Sequence, residues 1–542
     1  AVLALTDQPD GEKLARELYG KRMAYVPYTI PGFALAKSVA EVFSKNPDVE
    51  GLVLLRHGIF TFADDPKTAY ERMIEFVTMA EERLAKNKKP LKQAALHKEI
   101  ARVADIAPIL RGAVAIERNE MAGTVKRQIL CFRTNAAILN YVNGAELVRY
   151  ANQGVVTPDH TIRTKNYPLV VPAPEAGKLA EWKQAVEKAV AEYVAAYHAY
   201  FAKHNARAEP KKKTLDPLPR VILVPGVGLF GLGASAKDAA IAADIAENTV
   251  EVITDSEGLS SYQPISEADM FDVEYWSLEQ AKLGKGAEKV LARQVCVVTG
   301  GGSGIGAATA KAMAAEGAEV AVLDRDHDAA MNAAKAIHKN ALAIACDVTD
   351  PAAVKAAFAK VVEAFGGVDI VVSNAGAAWQ GKIGEVENET LRKSFELNFF
   401  AHQAVAQAAV HVMKAQGTGG CLLFNTSKQA VNPGKDFGPY GLPKASTLFL
   451  MKQYALDYGK EGIRSNAVNA DRIRSGLLTD EMVAARSKAR GLSEKDYMGG
   501  NLLGREVYAS EVAEAFVYLA HAEKTTAGVI TVDGGNIEAS LR

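Results

Sequence analysis

The stretch VVTGGGSGIGAATA, Val297–Ala310, decides the fold of the C-terminal half of the chain. An apolar run precedes this stretch and a helical pattern follows it, so its glycines fall at a strand-to-helix turn. Gly300, Gly304 and Gly306 stand where a tight turn, the close approach of a ligand and helix–sheet packing need residues without side chains. The helix N-terminus offers N–H groups without intrahelical partners, so the stretch predicts a turn that binds the pyrophosphate of a dinucleotide.

Apolar strands alternate with helical stretches from Val295 to the end of the chain. This alternation is typical of a Rossmann-type α/β fold, a doubly wound parallel sheet with helices on both faces. We place the start of this domain near Leu283–Ala292 and assign residues 289–542 to it. The predicted strands are Val295–Val298, Val320–Leu323, Ala343–Ala345, Ile370–Val372, Leu422–Phe424, Ala467–Val468 and Val529–Val532.

Two aspartates follow strands of the predicted sheet. Asp324 ends the second strand, 18 residues beyond Gly306, where a carboxylate accepts hydrogen bonds from the adenosine ribose of NAD and repels the 2′-phosphate of NADP. Arg325 argues the other way, because a nearby arginine accommodates that phosphate. Asp347 ends the third strand, either to reach the adenine edge or to cap a strand-end turn. We expect NAD as the cofactor.

The segment NTSKQAVNPGKDFGPYGLPK, Asn425–Lys444, carries acid–base chemistry. Ser427 stands near its start and Tyr440 near its end, and Lys444 follows the tyrosine one helical turn later, on the same face. A tyrosine alone has a pKa near ~10 and is a poor base at neutral pH. We expect the neighbouring ammonium group to lower that pKa and so to make proton exchange with a substrate hydroxyl feasible.

The order and spacing of these motifs from about Leu291 to Arg542 resemble the short-chain dehydrogenase/reductase family. TGGGSGIG, NAG at Asn374–Gly376, Ser427, YGLPK and VDGG at Val532–Gly535 all fall in the family's order. The resemblance implies that Tyr440 is the acid/base, that Lys444 holds the nicotinamide ribose, that Ser427 orients the substrate oxygen, and that Asn398, in SFELNFF, completes a proton relay. The residues then expected to bind NAD are Gly300, Ser303, Gly304, Ile305, Gly306, Asp324, Asp347, Val348, Asn374, Ala375, Gly376, Tyr440 and Lys444.

The loop after the sixth predicted strand departs from the family pattern. Members of the family usually have Pro-Gly there, in a loop that contacts the nicotinamide, whereas this chain has Ala470-Asp471. Arg472 and Arg474 follow, either as solvated surface charge or as guanidinium groups that face an anionic substrate.

The first half of the chain carries two strand–turn–helix units, the first of which turns at His57-Gly58. When His57-Gly58 is aligned with Val227-Gly228, Phe60 falls on Phe230 without a gap. We interpret this match as a degenerate internal repeat, although any two such units align to some extent by chance. The helix of the first unit is predicted over Pro66–Lys86. We divide this half into a partial domain, residues 1–98, and a degenerate second region, residues 99–288.

GLVLLRHGIFTF, Gly51–Phe62, and the helix after it resemble the class II aldolase/adducin-like family. In that family the histidine of the strand–His-Gly turn is one of three histidine ligands to a divalent metal, and His57 matches it. The His-x-His pair expected upstream does not occur in residues 1–56. A zinc-type site therefore requires ligands that precede Ala1, and the opening of the chain at Ala1, without methionine, leads us to expect missing residues there.

As a whole the chain resembles bifunctional proteins of deoxysugar breakdown that join a class II aldolase, typified by rhamnulose-1-phosphate aldolase, to an alcohol or lactaldehyde dehydrogenase. The resemblance implies an NAD-dependent oxidoreductase of a small polyol, sugar or hydroxy-aldehyde. Two alternatives concern the first half: it is a working metal-dependent lyase acting on a phosphorylated ketose, or it serves only in assembly. TPDHTIRTK, Thr157–Lys165, is either a polar site or a half-exposed strand, with His160, Arg163 and Lys165 at strand-like spacing.

Composition narrows the class of protein. The 542 residues are 49% hydrophobic and 23% charged with a net charge of −1, which favours a multidomain globular protein and gives no support to nucleic-acid or membrane binding. The sequence contains no apolar run of about 18 residues, and no two of the four cysteines are paired as CxxC. We expect no signal peptide and a cytoplasmic protein with reduced thiols. We expect a small-molecule substrate and a homo-oligomer, a dimer or a tetramer.

Overall fold

Both strand–turn–helix units of the first half are present in the structure. The structure, a computed structural model, describes residues 1–119, 124–284, 286–337, 341–475 and 478–536. Contacts group the chain into two units, which are described separately. The first unit comprises Ala1–Arg102, Cys131–Gly233 and Asp238–Gly286, and the second comprises Val103–Leu130, Ala234–Lys237 and Ala287–Arg542.

A three-stranded sheet forms the N-terminal part of the first unit. Its strands lie in the order β1-β2-β3, with β1 and β2 parallel and β2 and β3 antiparallel. Apolar side chains of β1 and β2 are buried on both faces of this sheet, as Val26 and Val53 show. The elements are α1 (Val2–Thr6), α2 (Gly11–Tyr19), β1 (Met23–Val26), α3 (Phe33–Lys45), β2 (Gly51–Leu54), β3 (Gly58–Thr61) and α4 (Pro66–Asn87).

The next segment of chain belongs to the second unit. It contains α5 (Val103–Ala113) and the antiparallel strands β4 (Ile116–Asn119) and β5 (Thr124–Lys126). Ile106, Ala107 and Leu110 on α5 are fully buried. The helix is therefore held by packing.

A four-stranded sheet with the order β6-β9-β8-β7 completes the first unit. β7 and β8 are parallel, and β8 and β9 form an antiparallel hairpin. The elements are β6 (Ile129–Arg133), α6 (Ala136–Val142), α7 (Leu147–Ala151), α8 (Thr161–Thr164), β7 (Leu169–Val170), α9 (Leu179–Asn205), β8 (Val221–Val224), β9 (Gly228–Gly233), α10 (Ala236–Leu259), α11 (Glu267–Glu274) and α12 (Ser277–Ala281).

The two sheets of the first unit repeat one arrangement. β8, β9 and α10 begin at one constant offset along the chain from β2, β3 and α4, and the strand pairing is the same in both sheets. The repeats differ at one edge: β6 pairs with β9 and its Phe132 packs on Phe230, which is 1% exposed. Phe60, the equivalent of Phe230, lies on the edge strand β3 and is 58% exposed.

The segment Thr157–Lys165 is helical, so the expectation of a strand there is wrong. A single turn of 3-10 helix at Pro158–His160 runs directly into α8. Pro158 occupies the first helical position, where a missing N–H costs nothing. The Thr164 hydroxyl donates to the His160 carbonyl oxygen at 3.0 Å, a bond between residues four apart that only a helical turn allows.

A seven-stranded, fully parallel sheet forms the centre of the second unit, as the sequence predicts. Its order is β12-β11-β10-β13-β14-β15-β16, so the strand order reverses beside β10 and β13. Ligands of such sheets bind at this reversal, at the carboxyl ends of the strands. The strands are β10 (Val295–Thr299), β11 (Glu319–Asp324), β12 (Leu342–Ala345), β13 (Ile370–Ser373), β14 (Gly420–Ser427), β15 (Ile463–Ala470) and β16 (Val529–Val532).

Helices cover the strands of this sheet and bury its apolar core. Val298, Val320 and Val372, on three neighbouring strands, are fully buried in that core together with Phe516 of the last helix. No helix in the described parts of the chain has the length and hydropathy needed to cross a membrane. The helices are α13 (Gly304–Ala315), α14 (His327–Ile337), α15 (Pro351–Phe365), α16 (Asn388–Phe395), α17 (Ala401–Gln416), α18 (Gly438–Tyr458), α19 (Asp480–Ala489), α20 (Glu494–Met498) and α21 (Ala509–His521).

Candidate active site

The glycine turn between β10 and α13 leaves no room for side chains. Gly300 has a φ of +58°, and a Cβ there would lie 2.9 Å from the Cα of Ala375. A Cβ on Gly306 would lie 2.0 Å from the Gly300 carbonyl oxygen, so the helix packs directly on the turn. Ser303 occupies the N-cap position of α13 and Ile305 lies in its first turn, where N–H groups have no intrahelical partner. The turn therefore fits the pyrophosphate of a dinucleotide.

Asp324 at the end of β11 is tied to this turn. Its Oδ2 accepts a hydrogen bond from the Gly302 N–H at 3.0 Å, and its Oδ1 accepts one from the Asp326 N–H at 3.0 Å. Each oxygen retains a second lone pair, and the side chain is only half-buried. The carboxylate is thus positioned beside the glycine turn to accept from ribose hydroxyls.

Asp347 has a different local role. Its Oδ1 accepts from both the N–H and the hydroxyl of Thr349, at 2.9 and 2.7 Å, and these bonds hold the pKa of the carboxyl below its usual value. This is the turn-capping alternative that the sequence left open. The side chain is nevertheless exposed at the strand end, and Val348 beside it is buried.

Asn374 fastens β13 to the glycine turn. Its Nδ2 donates to the carbonyl oxygens of Thr299 and Gly300, at 3.0 and 3.2 Å. Its Oδ1 accepts from the Asn425 amide at 2.7 Å. Because these contacts use both the nitrogen and the oxygen of its amide, Asn374 shapes the turn through contacts with the protein. Ala375 and Gly376 follow it and continue the wall of the site.

Ser427, Tyr440 and Lys444 come together at the carboxyl end of β14 and the start of α18. All three are buried, with at most 8% of each residue exposed. The Ser427 hydroxyl is hydrogen-bonded to the Tyr440 phenol. The Lys444 Nζ donates to the Asn425 carbonyl oxygen at 2.9 Å and lies 5.9 Å from the centre of the Tyr440 ring. The sequence spacing of the three residues thus becomes spatial proximity.

The pKa values of this cluster are set first by burial. Burial raises the pKa of Tyr440 to about 12, and the hydrogen bond from Ser427 opposes that rise. Burial lowers the pKa of Lys444 to about 7. The expectation that Lys444 lowers the pKa of Tyr440 is therefore wrong for these side chains alone, because burial also disfavours the charge on the lysine. Oxygen-rich groups beside Lys444 would favour that charge again.

Asn398 is positioned by an irregular helix. It lies in a π-helical turn, Glu396–Phe400, between α16 and α17, and such turns are frequent at functional sites. Its Nδ2 donates to the Ala377 carbonyl oxygen at 2.8 Å, and its own carbonyl oxygen accepts from the Thr447 hydroxyl at 2.6 Å. A Cβ on Gly376 would meet the Asn398 Oδ1 at 2.9 Å and the Lys444 Nζ at 3.5 Å, so these two groups converge over that glycine.

His402 is a buried residue near Lys444 that the sequence did not indicate as part of the site. Its Nδ1 lies 2.6 Å from the Ser373 hydroxyl oxygen. Among the described residues its buried Nε2 has no hydrogen-bond partner. Burial, and next the charge of Lys444, hold the pKa of His402 well below its ordinary value. A histidine in the middle of an apolar helical pattern carries no sequence signal for such a position.

A second missed feature is the ion pair between Lys428 and Asp471. The Lys428 Nζ lies 3.0 Å from the Asp471 Oδ2, and the two side chains are only 15% and 12% exposed. Lys428 directly follows Ser427, and Asp471 belongs to the loop that departs from the family pattern. The sequence signal for this pair is the departure from the family pattern, because the charged Asp471 stands in the loop where Pro-Gly is usual.

The two arginines of the same loop contact the protein. Arg472 donates from Nη1 to the Tyr497 carbonyl oxygen at 2.8 Å, and its guanidinium lies 5.1 Å from the Tyr497 ring centre. Arg474 forms ion pairs with three carboxylates, those of Asp480, Glu494 and Glu506. These contacts weaken the hypothesis that the arginines face an anionic substrate.

His57 of the first unit lies in the turn between β2 and β3. Its Nε2 is 3.0 Å from the Thr29 carbonyl oxygen, and its ring stacks on Tyr28 with 5.3 Å between the ring centres. Within the described ranges, no group of three His, Cys, Asp or Glu side chains is arranged to hold a metal ion. The residues present therefore do not fit a zinc-type site by themselves.

Lys165, one of the polar residues of Thr157–Lys165, belongs to a buried network. Lys165 is buried, with its Nζ 3.4 Å from the Glu274 Oε1 and 4.0 Å from the Tyr197 ring centre. The Glu274 carboxylate also accepts from the Tyr197 and Tyr200 hydroxyls, at 2.8 and 3.0 Å. The lysine is thus part of a buried structural network of the first unit.

Family models match three successive parts of the chain. The Class II Aldolase and Adducin N-terminal domain matches residues 2–84, and the second domain of class II aldolase matches residues 101–283. The model described as Enoyl-(Acyl carrier protein) reductase matches residues 300–536. The sequence-based assignment of both halves is therefore confirmed at the level of the family.

Relatives match either the whole chain or its second half. The uncharacterized oxidoreductase YuxG of Bacillus subtilis is 31% identical over 99% of this chain and 79% of its own length. (+)-Borneol dehydrogenase 1 of Salvia officinalis is 33% identical over 46% of this chain and 95% of its own length. L-Rhamnose 1-dehydrogenase (NAD(P)(+)) of a Sphingomonas strain is 31% identical over 46% of this chain and 97% of its own length. The fused arrangement is thus shared with one of these three relatives.

Proposed function

Because the chain belongs to the family of the B. subtilis oxidoreductase YuxG, with class II aldolase domains followed by a short-chain dehydrogenase domain, we propose that it is an NAD-dependent oxidoreductase. The observation that carries the proposal is the cluster of Ser427, Tyr440 and Lys444 at the edge of the parallel sheet where the glycine turn also lies. We further propose that its substrate is a small polyol, sugar or hydroxy-aldehyde.

The proposed reaction divides between the cofactor and the side chains. Bound NAD supplies the acceptor for the hydride that leaves the carbon of the substrate alcohol. Tyr440 takes the hydroxyl proton, so an alcohol loses one hydride and one proton and becomes a carbonyl compound. Ser427 donates its one hydroxyl hydrogen bond to the reacting oxygen, which keeps that oxygen in line with Tyr440. Burial of this cluster excludes water from the proton transfer.

Lys444 and Asn398 support the proton transfer in this proposal. Lys444 becomes charged when oxygen-rich groups of the ribose lie beside it, and its charge then favours the phenolate form of Tyr440. Asn398 and Lys444 converge over Gly376, which supports a path for the proton from Tyr440 toward the lysine and onward. The two residues hold and move a proton, and they do not contact the carbon that reacts.

The choice of NAD over NADP follows from Asp324. Its carboxylate is fixed beside the glycine turn by hydrogen bonds to Gly302 and Asp326. A 2′-phosphate at this position would face a negative charge, whereas a 2′-hydroxyl would donate to it. Arg325 is exposed, and this supports the assignment of the ribose contact to the aspartate.

The substrate class and pathway are proposed from the joined domains. A class II aldolase region next to a dehydrogenase suits the breakdown of a sugar, and one relative of the second half is named for oxidation of L-rhamnose. Another relative of the same half is named for borneol, so the dehydrogenase family alone does not set the substrate. His57 contacts Thr29 and Tyr28, and the described residues offer no set of metal ligands around it. We therefore base the proposed function on the dehydrogenase domain.

A screen of NAD reduction tests this proposal. Polyols, aldoses and lactaldehyde are each incubated with the protein and NAD, and NADH is followed by its absorbance at about 340 nm. At least one of these compounds should reduce NAD with saturation kinetics, and the Tyr440→Phe protein should not support that rate. Turnover of simple terpenols or fatty alcohols alone would contradict the proposed substrate class.

A further inference from the structure

Asp471 places a carboxylate in the wall of the candidate active site. It occupies the loop after β15 in which short-chain dehydrogenases usually have Pro-Gly, so its side chain is a feature of this chain. It directly follows Ala470, which pairs with Ser427 across the neighbouring strands β14 and β15, so it lies beside the carboxyl end of the strand that carries Ser427. Lys428, its ion-pair partner, directly follows Ser427 in sequence. The pair thus lies beside Ser427, the residue proposed to orient the substrate oxygen.

Three donors hold Asp471 by one oxygen. The Lys428 Nζ and the Asn536 Nδ2 each lie 3.0 Å from Oδ2, and the Arg472 Nε lies 3.7 Å from the same atom. In the described part of the chain, no hydrogen bond to the other oxygen, Oδ1, accompanies them. The side chain is 12% exposed, so the carboxylate is fixed in place and not freely solvated. Oδ1 keeps its capacity to accept a hydrogen bond.

The charges around this acceptor select among ligand classes. Lys428 and Arg472 oppose the approach of an ammonium group, and Asp471 itself opposes the approach of a carboxylate or phosphate. A neutral hydroxyl group has neither penalty and donates a charge-assisted hydrogen bond to the carboxylate. An apolar group placed against Oδ1 would remove its water and leave this acceptor without a partner, which is costly.

We propose, resting on the proposed function, that Asp471 binds a hydroxyl group on the carbon next to the reacting one, and that Lys428 fixes it for this purpose. The site then prefers vicinal diols, neutral sugars and α-hydroxy carbonyl compounds over simple alcohols and ketones. This assigns Asp471 and Lys428 as specificity-determining residues. In this assignment Asp471 and Lys428, and not Arg472 and Arg474, are the charged residues that select the substrate.

Matched substrates separate this inference from the proposed function. 2,3-Butanediol and 2-butanol differ by the neighbouring hydroxyl alone, and sites built to bind a hydroxyl reject the analogue without it by a factor of up to about 10⁴–10⁵. We expect the kcat/KM of the wild-type protein to favour the diol by about 10² or more. In Asp471→Ala the preference should fall below about tenfold, through loss of activity on the diol and not gain of binding energy elsewhere.

Two further variants distinguish a specific effect on the diol preference from a general loss of activity. Lys428→Met should also reduce the preference, because Asp471 loses the partner that fixes it, whereas Asp480→Ala should not. Asp480 belongs to the same stretch of chain, is 79% exposed and pairs with Arg474. An unchanged preference for the diol in Asp471→Ala, or an equal effect of Asp480→Ala, would overturn the assignment.

A binding measurement covers the case in which turnover is absent. Acetoin and butanone, the carbonyl counterparts of the two alcohols, are titrated into the Tyr440→Phe protein with NADH, and NADH fluorescence reports binding. Tighter binding of acetoin that disappears with Asp471→Ala supports the inference whether or not the wild-type protein oxidises these alcohols. Equal binding of the two compounds contradicts it, and failure of the proposed function appears separately as absent NAD reduction in the screen.

Discussion

Arg111 and Asp369, 258 positions apart in the chain, form a fully buried bidentate ion pair within the second unit. Arg111 donates from Nη1 to Oδ1 at 3.0 Å and from Nη2 to Oδ2 at 2.8 Å. Arg127 adds its Nε at 3.0 Å from Oδ1, and the Val295 N–H donates to Oδ2 at 2.7 Å. Although burial alone would raise it, the two arginines hold the pKa of Asp369 below its usual value. The pair attaches α5 to the start of β10 and β13.

We predict that Arg111→Met destabilises the second unit strongly. The substitution leaves the buried Asp369 carboxylate with one guanidinium instead of two, and breaking a buried pair costs about 3–5 kcal/mol. Scanning calorimetry should show a large drop in the melting temperature of the transition that NADH stabilises. Lys414→Met is the control, because its pair with Glu461 is about half exposed and such pairs contribute about 0–1 kcal/mol. Equal shifts for both variants would contradict the role given to Arg111.

The sequence located the dehydrogenase domain because its pattern is periodic. Most strands from Val295 onward contain a run of apolar residues, and the fold buries the central strands in the order that the alternation predicts. It did not reveal that α5 joins the same unit. The sequence does not show which core apolar residues such as Ile106 and Leu110 enter. The buried Arg111, which attaches α5 to the second unit, has no local signal in the sequence.

The candidate site likewise has features that the sequence predicts and features that it does not. The glycine turn and the Ser427–Tyr440–Lys444 spacing are local constraints of backbone and helix geometry, so the sequence was sufficient to expect them. Lys428 and Asp471 meet only because β14 and β15 are neighbours whose carboxyl ends carry these residues side by side. The pKa direction of Tyr440 was missed because burial, which dominates it, is a property of the folded site.

Tyr440→Phe should abolish most of the oxidoreductase activity. The phenylalanine preserves the ring packing and removes the only hydroxyl proposed to accept the substrate proton. General acid–base catalysis contributes about 10²–10⁴-fold, so kcat should fall by at least two orders of magnitude in steady-state assays. Tyr454→Phe, on the same helix, is the control, since its hydroxyl bonds to Gln403 at 2.9 Å. Near-normal turnover of the Tyr440 variant would refute the mechanism.

Lys444 should make the stability of the protein increase with pH. Its pKa is lowered to about 7 by burial, whereas an unfolded lysine has a pKa of about 10.4. Between these values the unfolded state binds the additional proton, so the free energy of unfolding rises with pH by up to about 1.4 kcal/mol per unit and levels off below pH 7. Urea unfolding of wild-type and Lys444→Met proteins, measured without NAD from pH 7 to 9, gives this contribution as a difference.

The control for that comparison is Lys452→Met, a substitution at an exposed lysine of the same helix. Its stability should follow the pH dependence of the wild-type protein. If Lys444→Met has the same slope as the wild-type protein over this range, Lys444 is charged in the folded state and the assignment fails.

Asp324 should decide between the two nicotinamide cofactors. The wild-type protein should prefer NAD over NADP at least tenfold in kcat/KM, because the carboxylate repels the 2′-phosphate. Asp324→Asn removes that charge, and the preference should fall to a few-fold, mainly through a lower KM for NADP. Asp328→Asn, at an exposed position in the first turn of α14, should leave the ratio unchanged. A wild-type preference for NADP would show that Asp324 does not bind the ribose.

The helix that carries Tyr440 and Lys444 also presents an exposed apolar stripe. Leu448, Met451 and Ala455 of this helix are buried in the second unit. Leu442, Phe449 and Leu456, evenly spaced two helical turns apart along α18, are instead 47%, 70% and 78% exposed in the single chain. Residues at this spacing share one helix face, and a two-fold contact between copies would bury the face against itself.

We therefore predict a homo-oligomer, a dimer or a tetramer, that depends on this stripe. Phe449→Glu places a charge at its centre, where a self-complementary contact meets the same charge from the second copy. Light scattering at micromolar concentration should give a multiple of 57.9 kDa for the wild-type protein and a lower mass for the variant. Leu503→Glu, in the loop after α20 and also exposed, should keep the wild-type mass. A wild-type mass near one chain, or an unchanged mass of the Phe449 variant, would show that α18 is not the contact.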